Sequence, residues 1–286
     1  MTRYSRRFYT SIRQGSRQSA IEVVPLLLDW VAPRSVIDVG CGVGTWLSVF
    51  RELGVEQVWG VDGPWVDRKL LEIPHDRFIV SDLTQPLRMD RQFDLVLALE
   101  VAEHLPEACA AVFVSSLTGL GPVVVFSAAI PFQGGDRHVN EQWPDYWASL
   151  FEKRGYVVVD CIRSSIWKNP NVEWWYSQNV LLYVRRESLE NHGFLKRQLD
   201  ATCIGPLSIV HPRKYLAVAA PRRIGLRWFA STVPLVLWYA CGRGLTVLRS
   251  RLRRSWRVLA ERIRTRLLRV LRRAERPRDG SGAAPS

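Results

Sequence analysis

No C-x-x-C pair occurs in this chain. Its five cysteines, at 41, 109, 161, 203 and 241, are odd in number and scattered. That spacing argues against a zinc ribbon or a disulfide framework and fits reduced thiols in the cytoplasm. Long apolar runs are missing too. The longest, Trp228–Cys241, has 14 residues and contains Pro234, whereas a membrane span needs about 20. Residues 1–18 are basic and polar, without the apolar segment of a secretory signal. Internal repeats are absent. Acidic charge is scarce overall, yet this scarcity is local. Residues 243–278 carry fourteen arginines against two glutamates, which is +12 of the formal +13. The rest of the chain is nearly neutral, so a partner inferred from charge is a partner of the C-terminal tail.

What remains is enough for one ordinary α/β domain. Of 286 residues, 47% are hydrophobic, which supports a large core. Residues 16–33 have helical spacing and end at Pro33. Short β-branched or apolar runs predict strands at 35–39, 57–61, 78–80, 93–99, 122–127, 156–161 and 180–184. Helical spacing falls between them at 45–53, 108–117 and 143–154. This alternation implies a Rossmann-like, doubly wound parallel sheet with helices on both faces. Residues 1–186 form that domain. The stretch 187–221, with Gly205, Pro206, Pro212 and Pro221, reads as a connector of little periodicity. Residues 222–276 hold the apolar run and a basic helix, and 277–286 a disordered tail.

The chemistry concentrates after the first strand, at Asp38-Val39-Gly40-Cys41-Gly42-Val43-Gly44. Glycines there permit a tight turn and let a ligand approach the backbone. The loop opens a helix whose N-terminal amides face that ligand. By itself such a loop can equally be a plain turn. The spacing is G-x-G-x-G, and the dinucleotide pattern would need glycine where Thr45 stands, so a pyrophosphate site is disfavoured. Asp62, in Val61-Asp62-Gly63, ends the second strand, where a carboxylate can accept both ribose hydroxyls of a nucleoside. Asp82 and Leu83 end the third, in reach of an adenine amino group. The fourth leads into Glu100-Val101-Ala102-Glu103-His104.

In order and spacing these motifs resemble class I S-adenosylmethionine-dependent methyltransferases over residues 16–186. The resemblance implies a seven-stranded sheet with the last strand antiparallel and S-adenosyl-L-methionine as cofactor. It also implies that Asp38, Gly40, Cys41, Gly42 and Gly44 flank the methionine part. Asp62 with Gly63 would hold the ribose, Asp82 and Leu83 the adenine, and Glu100 would lie beside the cofactor. The segments 15–20 and 126–147 are similar to bacterial enzymes of glycan or secondary-metabolite assembly. No metal is expected.

Methyl transfer to a hydroxyl requires removal of a proton, and histidine suits that task. His138 is the first choice for the base and His104 the second, although either can equally be a loop hydrogen bond or a packing residue. His75, His192 and His211 read as incidental. Trp143, Trp147 and Phe151 share a helical face and are expected in the core. Trp167, Trp174 and Trp175 fall between the last two strands, where they can cover an acceptor or simply the sheet.

The tail has its own pattern. Leu245, Leu248, Leu252, Trp256, Leu259, Ile263, Leu267 and Leu271 step by three or four, with arginines on the other faces. Such an amphipathic helix suits an anionic membrane surface. An RNA-binding arm and a coiled coil with a protein partner are the alternatives. The expected function is methyl transfer to a small-molecule, glycan or lipid-linked acceptor, at oxygen, by a cytoplasmic enzyme peripheral on the inner membrane face. The competing readings are an RNA methyltransferase gripping its substrate by the tail and a non-catalytic cofactor-binding scaffold. The near-neutral body and the absence of an N-P-P-Y or D-P-P-Y motif speak against nucleic acid.

Overall fold

The structure, a computed structural model, describes residues 6–202 and 205–219. The chain divides into two units, Met1–Ala219 and Ala220–Ser286. The expected apolar run, amphipathic helix and terminal tail lie in the second unit, outside the described residues.

The sheet is built from β1 (Ser35–Val39), β2 (Gln57–Asp62), β3 (Phe78–Val80), β4 (Leu95–Leu99), β5 (Val123–Ser127), β6 (Tyr156–Val159) and β7 (Leu181–Arg185). Its seven strands lie in the order β3-β2-β1-β4-β5-β7-β6. The first five neighbours run parallel, while β7 is antiparallel to both β5 and β6. This is the Rossmann-like arrangement expected, last strand included. Every residue of β1, β4 and β5 is buried, which is why their sequences are continuous apolar runs rather than alternations. Chain order reverses between β1 and β4, and a crevice opens beyond the carboxyl ends of strands at such a switch point.

Helices cover both faces. On one lie α1 (Arg6–Val31) and α2 (Thr45–Glu52) with the short α5 (Ile162–Ile166) and α6 (Trp174–Asn179). Leu27, Leu47, Phe50 and Ile166 pack there on Val36, Leu97 and Leu182. On the other, α3 (Ala110–Leu120) and α4 (Pro144–Glu152) set Phe113, Leu117, Trp147 and Phe151 against Ile37, Val96 and Phe126. Phe151 stacks on Tyr183 at 3.9 Å between ring centroids. The period-two alternation of β1 thus feeds two cores.

Several local expectations differ from the structure. Helix α1 begins ten residues earlier than residue 16. Strand β4 starts at Leu95 because Asp94 is used otherwise. Its carboxylate accepts from Arg34 N, Ser35 N and Ser35 Oγ at 2.9–3.0 Å and ties the start of β4 to that of β1. Strand β6 ends at Val159, since Asp160 turns to pair with Arg163 in α5. Trp143, expected in the core, is 41% exposed, because it precedes α4 rather than sharing its buried face. The connector of little periodicity instead carries α7 (Gly193–Thr202) and α8 (Pro212–Ala219). Pro212 occupies the first turn of α8, where its missing N–H costs nothing. His211, incidental by its sequence context, is buried; its ring nitrogens meet Trp167 O and Arg213 N, capping α8. Among the described residues no helix is long and apolar enough to cross a membrane.

Candidate active site

The glycine loop leaves β1 with two backbone bonds to β2, from Gly40 N and Cys41 N to Val61 O at 2.7 and 3.2 Å. Gly40 has φ 88°, and a side chain there would meet Val101. Gly44 has φ 86° and starts α2 from the left-handed region. Both positions therefore require glycine. Asp62, at the end of β2, is buried. Its two oxygens accept from Gly42 N at 2.7 Å and Gly63 N at 2.6 Å. Burial raises its pKa, and these two amides pull it back. Asp38 is also buried; burial first, and the neighbouring Asp62 second, push its carboxyl up to about 7.

A cavity of about 480 Å³ lies over this loop. Asp38, Gly40, Cys41, Gly42, Asp62 and Leu83 line one part of it, and Glu100, His104 and His138 another. Nine of the twelve residues singled out in the sequence are thereby brought together. Gly44, Gly63 and Asp82 are not in the lining. Gly44 and Gly63 serve the loop's geometry. Asp82 is exposed, and its Oδ1 accepts from Thr84 N and Thr84 Oγ1 at 3.0 and 2.8 Å, which holds its own turn and lowers its pKa.

Glu100 follows β4 at φ 55°, a conformation costly for a residue with a side chain and typical of functional sites. Its backbone N–H is shared between Ser127 O and Ser127 Oγ. Its carboxylate accepts from Asn179 Nδ2 at 3.1 Å and Gln133 Nε2 at 3.3 Å. Gln178 and Asn179 in turn donate to Gln133 Oε1, both at 3.0 Å. This buried amide network was not foreseen. Its one sequence signal is the polar triplet Ser177-Gln178-Asn179 directly before the apolar run of β7.

The histidines meet edge to face, with ring centroids 4.9 Å apart. His104 is in the turn after β4 and His138 in the loop after β5. That loop is drawn in by Val139 N and Asn140 N, which donate to Glu103 O at 2.8 and 3.1 Å. His138 Nδ1 lies 2.9 Å from Glu141 Oε1. Burial, then His138, lowers the pKa of His104. Trp174 and Trp175 complete the wall on the α6 side, together with Tyr176, whose hydroxyl lies 3.2 Å from Ser16 Oγ. Glu103, Glu141, Trp65 and Tyr176 are site residues that sequence reasoning passed over.

Residues 12–191 match the profile of a methyltransferase domain family. No curated sequence matches the chain. Among solved structures, a sugar N-methyltransferase from Streptoalloteichus is 15% identical, with 65% of this chain and 94% of that one covered at TM-score 0.51. Magnesium protoporphyrin IX methyltransferase from Synechocystis, with S-adenosylhomocysteine bound, is 20% identical over 65% and 90% at TM-score 0.45. An amino pentose methyltransferase from Micromonospora is 14% identical over 65% and 99% at TM-score 0.47. With the profile match spanning well over half of its length, the chain belongs to the class I methyltransferases and is an enzyme that uses S-adenosylmethionine.

Proposed function

We propose that this enzyme methylates a hydroxyl of a small-molecule, glycan or lipid-linked acceptor at the inner face of a membrane. The observation that carries the reading is the single cavity joining the glycine loop and Asp62 to His104 and His138. In this reading Asp38, Gly40, Cys41 and Gly42 hold the methionine part, with Gly44 shaping the loop. Asp62, oriented by Gly63, takes the ribose. Leu83 packs on the adenine, with Asp82 at its rim, and Glu100 stands beside the methyl donor. His138 and His104 act on the acceptor. A neutral amine needs no proton removed before it attacks, whereas a hydroxyl does; two histidines at that end favour oxygen. A sugar fits against Trp174 and Trp175, and the Streptoalloteichus neighbour is by name a sugar enzyme.

The test is transfer of labelled methyl from S-adenosylmethionine by the full-length protein, offered free sugars, lipid-linked glycans and RNA. Label on a sugar or lipid-linked hydroxyl is the expected result. Label in RNA alone would replace this reading with the nucleic-acid one.

The membrane part of the proposal rests on the apolar stripe and arginines of residues 243–276. Arginines near an anionic surface contribute about 1 kcal/mol each, less as salt rises. Full-length protein should sediment with vesicles containing anionic lipid, and a chain truncated after Pro221 should not. Equal sedimentation of the two would refute it.

A further inference from the structure

Glu103, His104 and His138 each place a donor atom within 4.8 Å of the other two. Two of these donors have no use within the protein. Glu103 is 0% exposed, and neither of its carboxylate oxygens has a hydrogen-bond partner. His104 Nδ1 is buried and equally without a partner. The backbone N–H groups of Glu103 and Ala129 and the Glu100 side chain come near it without forming a bond of good geometry, and a buried carboxylate so placed is rare, because proteins bury such groups paired or bound to metal. Glu100, near enough to repel Glu103, sharpens the imbalance.

The third donor is prepared from outside. Glu141 accepts from Phe132 N at 2.7 Å and Gly134 N at 2.8 Å, which fixes its orientation. Held so, its Oε1 lies 2.9 Å from His138 Nδ1 and accepts a hydrogen bond from the N–H there. That assignment leaves the lone pair on Nε2. A histidine whose far nitrogen donates to a fixed carboxylate is the usual form of a metal-binding imidazole. The backbone bonds from residues 139 and 140 to Glu103 O then lock the two parts of the cluster together.

We propose that Glu103, His104 and His138 bind a divalent cation, with Glu141 as the positioning residue behind His138. Two imidazoles and one carboxylate suit a first-row transition cation such as Mn²⁺, Fe²⁺, Co²⁺ or Zn²⁺ better than Mg²⁺ or Ca²⁺, which prefer all-oxygen shells. Three protein donors leave coordination positions open, and all three residues line the cavity. This proposal departs from the expectation of a metal-free site and gives His138 the part of a ligand in place of a base. Its chemical consequence rests on the function proposed above. A cation held there would leave open positions at which an acceptor hydroxyl would become more acidic. Its proton leaves to solvent water. The oxygen lone pair forms a bond to the methyl carbon, the carbon–sulfur bond breaks, and its electrons neutralise the sulfonium. A methyl ether and S-adenosylhomocysteine result, and the cation is unchanged.

The experiment uses full-length protein stripped with EDTA and then dialysed against Mn²⁺ or, separately, Zn²⁺. Bound metal is read by atomic absorption, and Mn²⁺ also by electron paramagnetic resonance. About one ion per wild-type chain is expected, with at least a tenfold loss of affinity in Glu103→Gln and in His138→Ala. S-adenosylhomocysteine titration of the same samples reports whether the variants are folded. If Glu103→Gln fails to fold, Glu141→Gln takes its place, with affinity reduced roughly 10- to 100-fold as for other outer-shell partners. No uptake of either ion by wild type, or wild-type uptake by the variants, would overturn the site. Uptake without methyl transfer to any hydroxyl would uphold the site and sink the proposed function; transfer that survives complete metal removal would sink the cation's role alone.

Discussion

Asp62 and Glu103 are buried carboxylates on the wall of one cavity, and the fold treats them in opposite ways. Asp62 receives an amide on each oxygen, from Gly42 and Gly63. Glu103 receives nothing. The first arrangement makes a rigid end whose polar groups are pre-oriented, as a nucleoside of fixed shape requires. The second leaves bonding capacity that the proposed cation would fill. Within one pocket, satisfaction of polar groups therefore separates the end proposed to hold the cofactor from the end proposed to act on the acceptor.

Substitutions can break this contrast or sharpen it, and the largest effect falls at the reactive end. His138→Ala should slow turnover by roughly 100-fold or more, whether the ring acts as a base or as a cation ligand, while leaving cofactor affinity within twofold. Single-turnover rates with labelled S-adenosylmethionine measure it, and an unchanged rate would remove His138 from the chemistry.

At the other end, Asp62→Ala deletes the proposed ribose acceptor and leaves the Gly42 and Gly63 amides without a partner. Charge-assisted bonds of this kind are worth roughly 1.5–3 kcal/mol each, so S-adenosylhomocysteine affinity should fall tenfold to several hundredfold. Unchanged affinity in calorimetry would show that Asp62 does not hold the ribose.

A pH effect comes next. Burial and Asp62 raise the Asp38 carboxyl from 3.8 to about 7. The stability associated with that proton is complete below pH 4 and is lost as pH rises to 7. A cationic ligand beside Asp38 favours the ionised form. Affinity for S-adenosylmethionine should therefore rise with pH, by up to about tenfold per unit below 7, and level off above. Asp38→Asn should flatten the profile between pH 5.5 and 7; a sloping profile in that variant would assign the proton to another group.

The smallest effect belongs to the aromatic wall. Trp174→Ala should raise KM for the acceptor several-fold, the scale of a lost aromatic face, with kcat and cofactor affinity nearly unchanged. A fall in kcat alone would place Trp174 among the positioning groups instead.

These two ends also differ in how far the sequence revealed them. The loop from Ser35 to Thr45 is local: a buried strand, glycines at fixed spacing and a helix start are all written in consecutive residues, and Asp62 follows one strand later. The reactive end is assembled from three separated stretches. Glu103 resembles any polar residue of a turn until the loop at 138–140 closes over it, and its burial is a property of the closed fold. Gln133 and Asn179 meet Glu100 only because β7 inserts between β5 and β6, a register no local pattern encodes. Helices α5 and α6 have five and six residues, too short to display a helical period. Asp82 shows the converse, since its motif is in place in the sequence while the bond of its Oδ1 to Thr84 appears only in the fold.

The central claim is that one cavity has a donor end at Asp62 and an acceptor end at His138. Its most direct test is calorimetric titration of S-adenosylhomocysteine into the full-length wild type, Asp62→Ala and His138→Ala under one set of conditions. The account predicts one site per chain, affinity lowered at least tenfold in Asp62→Ala, and wild-type affinity in His138→Ala. Loss of binding in His138→Ala with retention in Asp62→Ala would contradict it.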